Sequence, residues 1–198
     1  MGTIRRLTFE ELDPPLRTAL AAKVERLGYL GEFFAVAGHQ PAATTAFQRF
    51  TEALKAALPA ELTEAVALGV AAALDNAYER TQHERLAAAL GFPVGWIAAA
   101  TGRGDPAVLG EAAGAARRLA LAMLEDHGHG AAGELARAVD VLGEDQAAGV
   151  LLTVGRYVAH AVVSNTLELA APVGGVVDGA HDGPGVSAAN GRTRAAAR

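Results

Sequence analysis

Between Ala60 and Gly91 the chain carries most of the side chains able to move a proton or hold a small acid: Glu64, Asn76, Tyr78, Glu79, Arg80 and His83. Glu79 and His83 are four residues apart, so a helix puts a carboxylate and an imidazole on one face. That pair suits general acid–base work, because an imidazole takes up and releases protons near neutral pH. Glu64 is a candidate third member. On one straight helix, however, it would lie roughly 28 Å from His83 and could not share a site with it. Arg80 can anchor a substrate carboxylate through paired N–H donors, or bridge to Glu84 one turn on. The Tyr78 hydroxyl either enters the site or packs away from it.

Each residue also has a plain structural reading. Asn76 is an N-cap, and Glu79 three positions later completes a variant capping box. Glu64 fits a first-turn glutamate facing the positive end of its helix, and His83 a satisfied helical histidine. The elements decide between these readings. Leu62, Val66, Val70 and Leu74 recur every four residues and predict a helix with one buried face. Asp75-Asn76 interrupts it, and a second helix runs from there to Gly91, a normal terminating glycine. A bend at Asp75-Asn76 is what would bring Glu64 towards His83.

The pattern L-x-x-E-A-V-A-L-x-V-A-A-A-L-x-N-A-Y-E-x-x-x-H, followed by A-A-L-G-F-P, resembles the carboxymuconolactone decarboxylase family, which also holds the AhpD-type alkylhydroperoxidases. The likeness is strongest over residues 60–100. In the peroxidase branch the second helix opens with C-x-x-C-x-x-x-H. Aligned on His83, those cysteine positions hold Asn76 and Glu79, and the branch's glutamate is Glu64. The remaining E-x-x-x-H is similar to the decarboxylase-like branch. The resemblance implies an all-α, AhpD-like bundle of six to eight helices, assembled as a homo-oligomer such as a trimer or hexamer. It also implies a small organic acid as substrate or ligand. Glu79, His83 and Glu64 are then the catalytic candidates, and Arg80, Tyr78 and Asn76 the substrate-binding ones. A non-catalytic oligomer that binds a small molecule or partner is the alternative.

The 198 residues allow one sizeable core. Hydrophobic residues make up 51% and aromatics only 5%, which favours close helix packing over a β-sandwich. The net charge is −5 with no basic block, so no nucleic-acid partner is expected. No uninterrupted apolar run long enough to span a membrane stands out, nor a leader-like N-terminus, so the expected location is cytoplasmic. No cofactor and no metal are expected. His127 and His129 lie two apart without a further matched pair, and His39 stands alone.

Outside the central stretch, Asp13-Pro14-Pro15 predicts a helix start with Asp13 as cap, running to Leu27. Further helices are expected over Pro41–Leu58, from Asp105-Pro106 to Asp126, over Gly133–Leu142 and over Glu144–Leu169. In the last, Val150, Val154, Val158 and Val162 suit burial and His160 reads as structural. Trp96 reads as a lid or interface residue, and Arg117-Arg118 as a solvated face. The domain is placed at 1–171, and the Gly/Ala-rich segment 172–198 is expected to be a disordered tail.

The chain contains no cysteine. A thiol peroxidase needs a thiolate to attack the peroxide. The protein should therefore show no enzyme-dependent consumption of an alkyl hydroperoxide coupled to a dithiol reductant, and measurable turnover in that assay would refute the argument.

Overall fold

Ten successive residues of the central helix, Leu62 to Ala71, are buried. An ordinary amphipathic helix hides one stripe, so a helix hidden all round must be surrounded. Its composition permits this: alanines and Gly69 let neighbours approach closely. The computed structural model describes residues 4–170 and 174–179, and among these every regular element is helical. In chain order they are α1 (Pro14–Leu27), α2 (Glu32–Ala37), α3 (Pro41–Ala57), α4 (Ala60–Ala73), α5 (Ala77–Ala89), α6 (Val94–Ala100), a 3-10 turn (Pro106–Leu109), α7 (Gly110–Glu125), α8 (Ala132–Leu142), α9 (Glu144–Thr166) and α10 (Val176–Gly179). Central α4 packs on α5, α6, α7 and α9. Its expected single buried face is thus a fully enclosed helix.

Three apolar clusters fill the interior. Leu62, Val66 and Val70 of α4 meet Leu119 of α7, Ala138 of α8, and Val150 and Val154 of α9. Ala65 and Leu68, on the other side of α4, meet Trp96 and Ile97 of α6. Leu16 and Leu20 of α1 join Phe33 and Phe34 of α2 and Tyr78 of α5. Burying each leucine, valine or phenylalanine contributes about 1.5–3 kcal/mol.

The junction between α4 and α5 is built from backbone and one asparagine. Asp75 takes a left-handed φ of 48°, a conformation aspartate tolerates better than most residues. Its N–H then bonds the Ala72 carbonyl at 3.2 Å, and the Asn76 N–H reaches back to Ala71 at 2.8 Å. This double bond pattern closes α4. Asn76 is at once the N-cap of α5: its Oδ1 accepts the Glu79 N–H at 2.7 Å. Its amide nitrogen donates to the Ala161 carbonyl at 3.0 Å and to Asn165 Oδ1 at 2.9 Å, both on α9. The same closure recurs at the far end of α5, where Gly91 has φ 92° and the N–H groups of Gly91 and Phe92 bond Ala88 and Ala87.

Several local expectations are corrected. Only half of the capping box forms, because the Glu79 carboxylate turns away from Asn76 and into the interior. Asp13 makes no side-chain cap bond; the start of α1 rests on its prolines. Asp105 caps the 3-10 turn, accepting the Ala107 N–H at 2.9 Å, and α7 starts later, at Gly110. On α9, Val150 and Val154 are buried but Val162 is 53% exposed. Each step of four residues turns about 40° further round a helix, so three steps carry Val162 about 120° away from Val150. By length and composition α9 could cross a membrane, which was not expected. Here 56% of its most apolar window is buried in the protein, in the manner of a core helix.

The start of the expected tail also departs from expectation. Within 172–198, Val176–Gly179 form α10 against α5 and α6. Val177 is buried, and its N–H donates to Glu84 Oε2 at 3.1 Å. Residues 171–173 and 180–198 lie outside the described residues, and with them the rest of that expectation.

Asn76→Ala removes a cap and leaves the Glu79 N–H and the Ala161 carbonyl without this partner in the interior. The expected cost is about 2–3 kcal/mol, above that of an exposed cap. Urea unfolding of the variant beside the parent measures it.

Candidate active site

Because α5 folds back along α4, Glu64 and His83 meet. His83 Nδ1 lies 2.8 Å from Glu64 Oε2, and both side chains are buried. Facing a carboxylate, Nδ1 is the nitrogen that carries hydrogen, which leaves Nε2 for the other side. There it stands 3.8 Å from Glu79 Oε2. Tyr157 closes over the imidazole edge-on, with ring centroids 5.0 Å apart. The three catalytic candidates therefore converge.

Glu79 Oε2 is the centre of the cluster. Besides His83 it meets His160 Nδ1 at 3.1 Å and Arg156 Nη1 at 3.5 Å, both supplied by α9. Arg156 is fixed from its other side, its Nε donating to Thr51 Oγ1 of α3 at 3.0 Å. Its guanidinium also lies 4.2 Å over the Tyr157 ring. Burial by itself pushes the Glu79 carboxyl up. His160, His83 and Arg156 together outweigh it and hold Glu79 well below the usual carboxylate range, so it stays ionised. For His160 burial dominates: it lowers the imidazole pKa, against the opposing pull of Glu79. Tyr157 and Tyr78 are both raised, chiefly by burial, and keep their phenolic protons.

The cluster forms the floor of a cavity of about 500 Å³ between α1, α3, α5 and α9. Glu79, His83, Tyr78, Arg156, Tyr157 and His160 line its depth, and exposed Arg26, Tyr29 and Arg85 lie at its mouth. Gln82 spans the rim, donating to the Tyr29 hydroxyl at 2.8 Å. Lys23 and Lys55 line the walls. The cavity is thus richly cationic, with one buried carboxylate at its floor, a setting for a small anionic molecule.

Of the three substrate-binding candidates only Tyr78 lines this cavity. Asn76 is 1% exposed and its side chain is taken up by the α4–α5–α9 junction. Arg80 sits one residue, about 100°, round α5 from Glu79. It faces Glu84, with Nε 3.7 Å from Oε1. Fully buried Glu84 also receives Arg103 Nη2 at 2.5 Å and the Val177 N–H. That second cluster ties α5 to the loop after α6 and to α10, away from the cavity. Trp96 stacks on Phe92 at 4.4 Å within the core. His127 and His129 are exposed in the turn before α8.

Arg156, Tyr157 and Lys23 were not singled out from sequence, and His160 was read as structural. One signal was present: Arg156, His160 and Ser164 recur every four residues along an otherwise apolar helix. A polar stripe on a helix destined for the core requires buried partners.

Among solved structures, the debrominase Bmp8 in its apo form superposes with a TM-score of 0.73 at 17% identity, over 86% of this chain and 92% of that one. A cysteine-to-alanine variant of that debrominase, in complex with 2,3,4-tribromopyrrole, gives a TM-score of 0.67 with the same identity and coverage. The fold is AhpD-like. No family profile and no curated protein matches the chain, so its resemblance to the carboxymuconolactone decarboxylases rests on the motif alone.

The lowered Glu79 makes acid stability a test of the cluster. A carboxyl whose folded pKa lies below its unfolded one stabilises the fold above the unfolded pKa, about 4.3 for glutamate. That stability is lost as pH falls through the folded value. At pH 7, Glu79→Gln leaves Arg156 with no carboxylate and should cost about 3–5 kcal/mol, the scale of a broken buried pair. The gap between variant and parent in urea unfolding should close progressively below about pH 4.3. A gap independent of pH would mean that Glu79 is not ionised in the fold.

Proposed function

We propose that this AhpD-like protein is an enzyme performing cofactor-free acid–base chemistry on a small organic acid, by decarboxylation or by proton transfer on a lactone or enol. The observation that carries this reading is the buried Glu64–His83–Glu79 row at the floor of a cationic cavity. His83 transfers the proton through Nε2, while Glu64 holds the ring by Nδ1 and fixes its tautomer. Glu79 is a poor base with its carboxyl held so low. Its part is to stay anionic and to stabilise positive charge on His83 while it fixes Arg156 and His160. Arg156, Lys55 and the arginines of the mouth take the role first given to Arg80, holding the substrate carboxylate.

The size of the cavity supports a ligand of one ring with few substituents. The debrominase of like fold was captured with such a ring, a bromopyrrole. A thiol-dependent route is closed to this chain, which has no cysteine. The motif also favours a homo-oligomer, and exposed Leu152, Val162 and Val163 on α9 offer an apolar surface for one.

The purified protein should turn over one or more lactone acids in a panel monitored for CO2 release and ring opening. His83→Asn should reduce kcat by about 10²–10⁴-fold, the range for loss of a general acid–base group. Glu79→Gln should also reduce it, and Arg80→Gln should leave KM nearly unchanged. Turnover indifferent to both His83→Asn and Glu79→Gln would sink the proposal.

A further inference from the structure

The chain has seventeen basic side chains, of which fifteen are arginine and two are lysine, Lys23 and Lys55. Both lysines line the cavity described above. Arginine serves wherever a fixed cation is needed, and cannot lose its proton in a protein; lysine can. Lys23 is also held in place. Its Nζ donates to Gln48 Oε1 at 3.0 Å and lies 4.5 Å over the Phe34 ring. Gln48, itself buried, is aimed by donating its amide nitrogen to Glu52 at 2.7 Å.

We infer that Lys23 is an imine-forming nucleophile, and that the small acid this cavity takes is a 3-oxo acid whose ketone carbon bonds to Lys23 Nζ. The inference rests on the acid–base reading of the cavity and adds to it a covalent intermediate and a substrate class.

The charged groups facing Lys23 favour a free amine. Burial, with Lys55 of α3 and Arg156 of α9 as like charges, brings the ammonium down to about 8; Glu52 of α3 and Glu79 of α5 oppose this in part. A fraction of Lys23 is then neutral at physiological pH, the condition for attack on a carbonyl. The atoms balance without any added group. The neutral amine adds to the ketone, a proton moves from nitrogen to oxygen, and the carbinolamine takes up a proton and loses water to give an iminium. The bond to the carboxylate carbon breaks, CO2 leaves, and its electron pair runs into the iminium to form an enamine. His83 delivers a proton to the enamine carbon and regains one from solvent. Water then hydrolyses the iminium, releasing the ketone and the Lys23 ammonium. Net, one 3-oxo acid anion and one proton give one ketone and CO2. Glu79 lies where it can stabilise the cationic iminium.

The test is borohydride trapping on the full chain with acetoacetate as probe, read by peptide mass spectrometry. With only two lysines the assignment is direct. The expected result is a reduced secondary-amine adduct on Lys23, lost in Lys23→Arg, which keeps the charge. Lys55→Met removes a like charge, so the pH for half-maximal trapping should rise above that of the parent. An adduct on Lys55 alone, or on neither lysine, overturns the inference. So does lactone-acid or oxo-acid turnover undiminished in Lys23→Arg, a result that leaves the acid–base reading standing. An adduct on Lys23 with no effect of His83→Asn on turnover keeps the nucleophile and removes the acid–base reading instead.

Discussion

One asparagine joins the three helices that carry the site. Asn76 ends its reach to α4 through its N–H, begins α5 by accepting the Glu79 N–H, and binds α9 through its amide nitrogen. Asn76 itself, the Glu79 N–H and the Ala161 carbonyl are buried, where an unpaired polar group costs far more than at a surface. The direction in which α5 leaves α4, and the register of α9 beside both, are therefore set together. Glu64, Glu79, His83, Arg156 and His160 all stand on those helices, so their mutual distances follow from this one junction.

The electrostatics of the floor complement that rigidity. An ionised carboxylate among apolar helices is tolerated only when compensated. Glu79 has Arg156 and two histidines within 4 Å of one oxygen. The result is a fixed negative charge whose partners cannot move without exposing it. A fixed charge held by buried partners needs little reorganisation when a neighbouring group changes its own charge, which is the physical basis of preorganised catalysis. His83, oriented by Glu64 behind it, is the group placed to change. Lys23, on α1, is proposed as a second such group, and the like charges of Lys55 and Arg156 act on it as burial does.

The Glu84 cluster shows the same elements used for construction. Glu84 is as buried as Glu79 and is met by Arg80, Arg103 and a backbone N–H. It does not line the cavity that Glu79 lines, and it draws α10 onto α5 and α6. Two buried glutamates five residues apart on one helix thus serve opposite ends, because five residues turn about 140° round the helix axis.

Several features were determined by sequence alone. The helical class, the break at Asp75-Asn76, the cap on α5, its end at Gly91 and the Glu79–His83 pair all depend on neighbours within a few residues, where side-chain type and backbone preference act directly. The absence of cysteine decided which chemistry is closed. What only the tertiary structure decided is which of the polar residues meet. Arg156 lies 77 residues from Glu79 and Lys23 lies 56 before it, and no local rule links them. Arg80 was the cation that the sequence offered for the substrate, until the turn of α5 sent it to Glu84. Burial then selected among them, since a buried charge persists only where helices far apart in the chain bring it a partner.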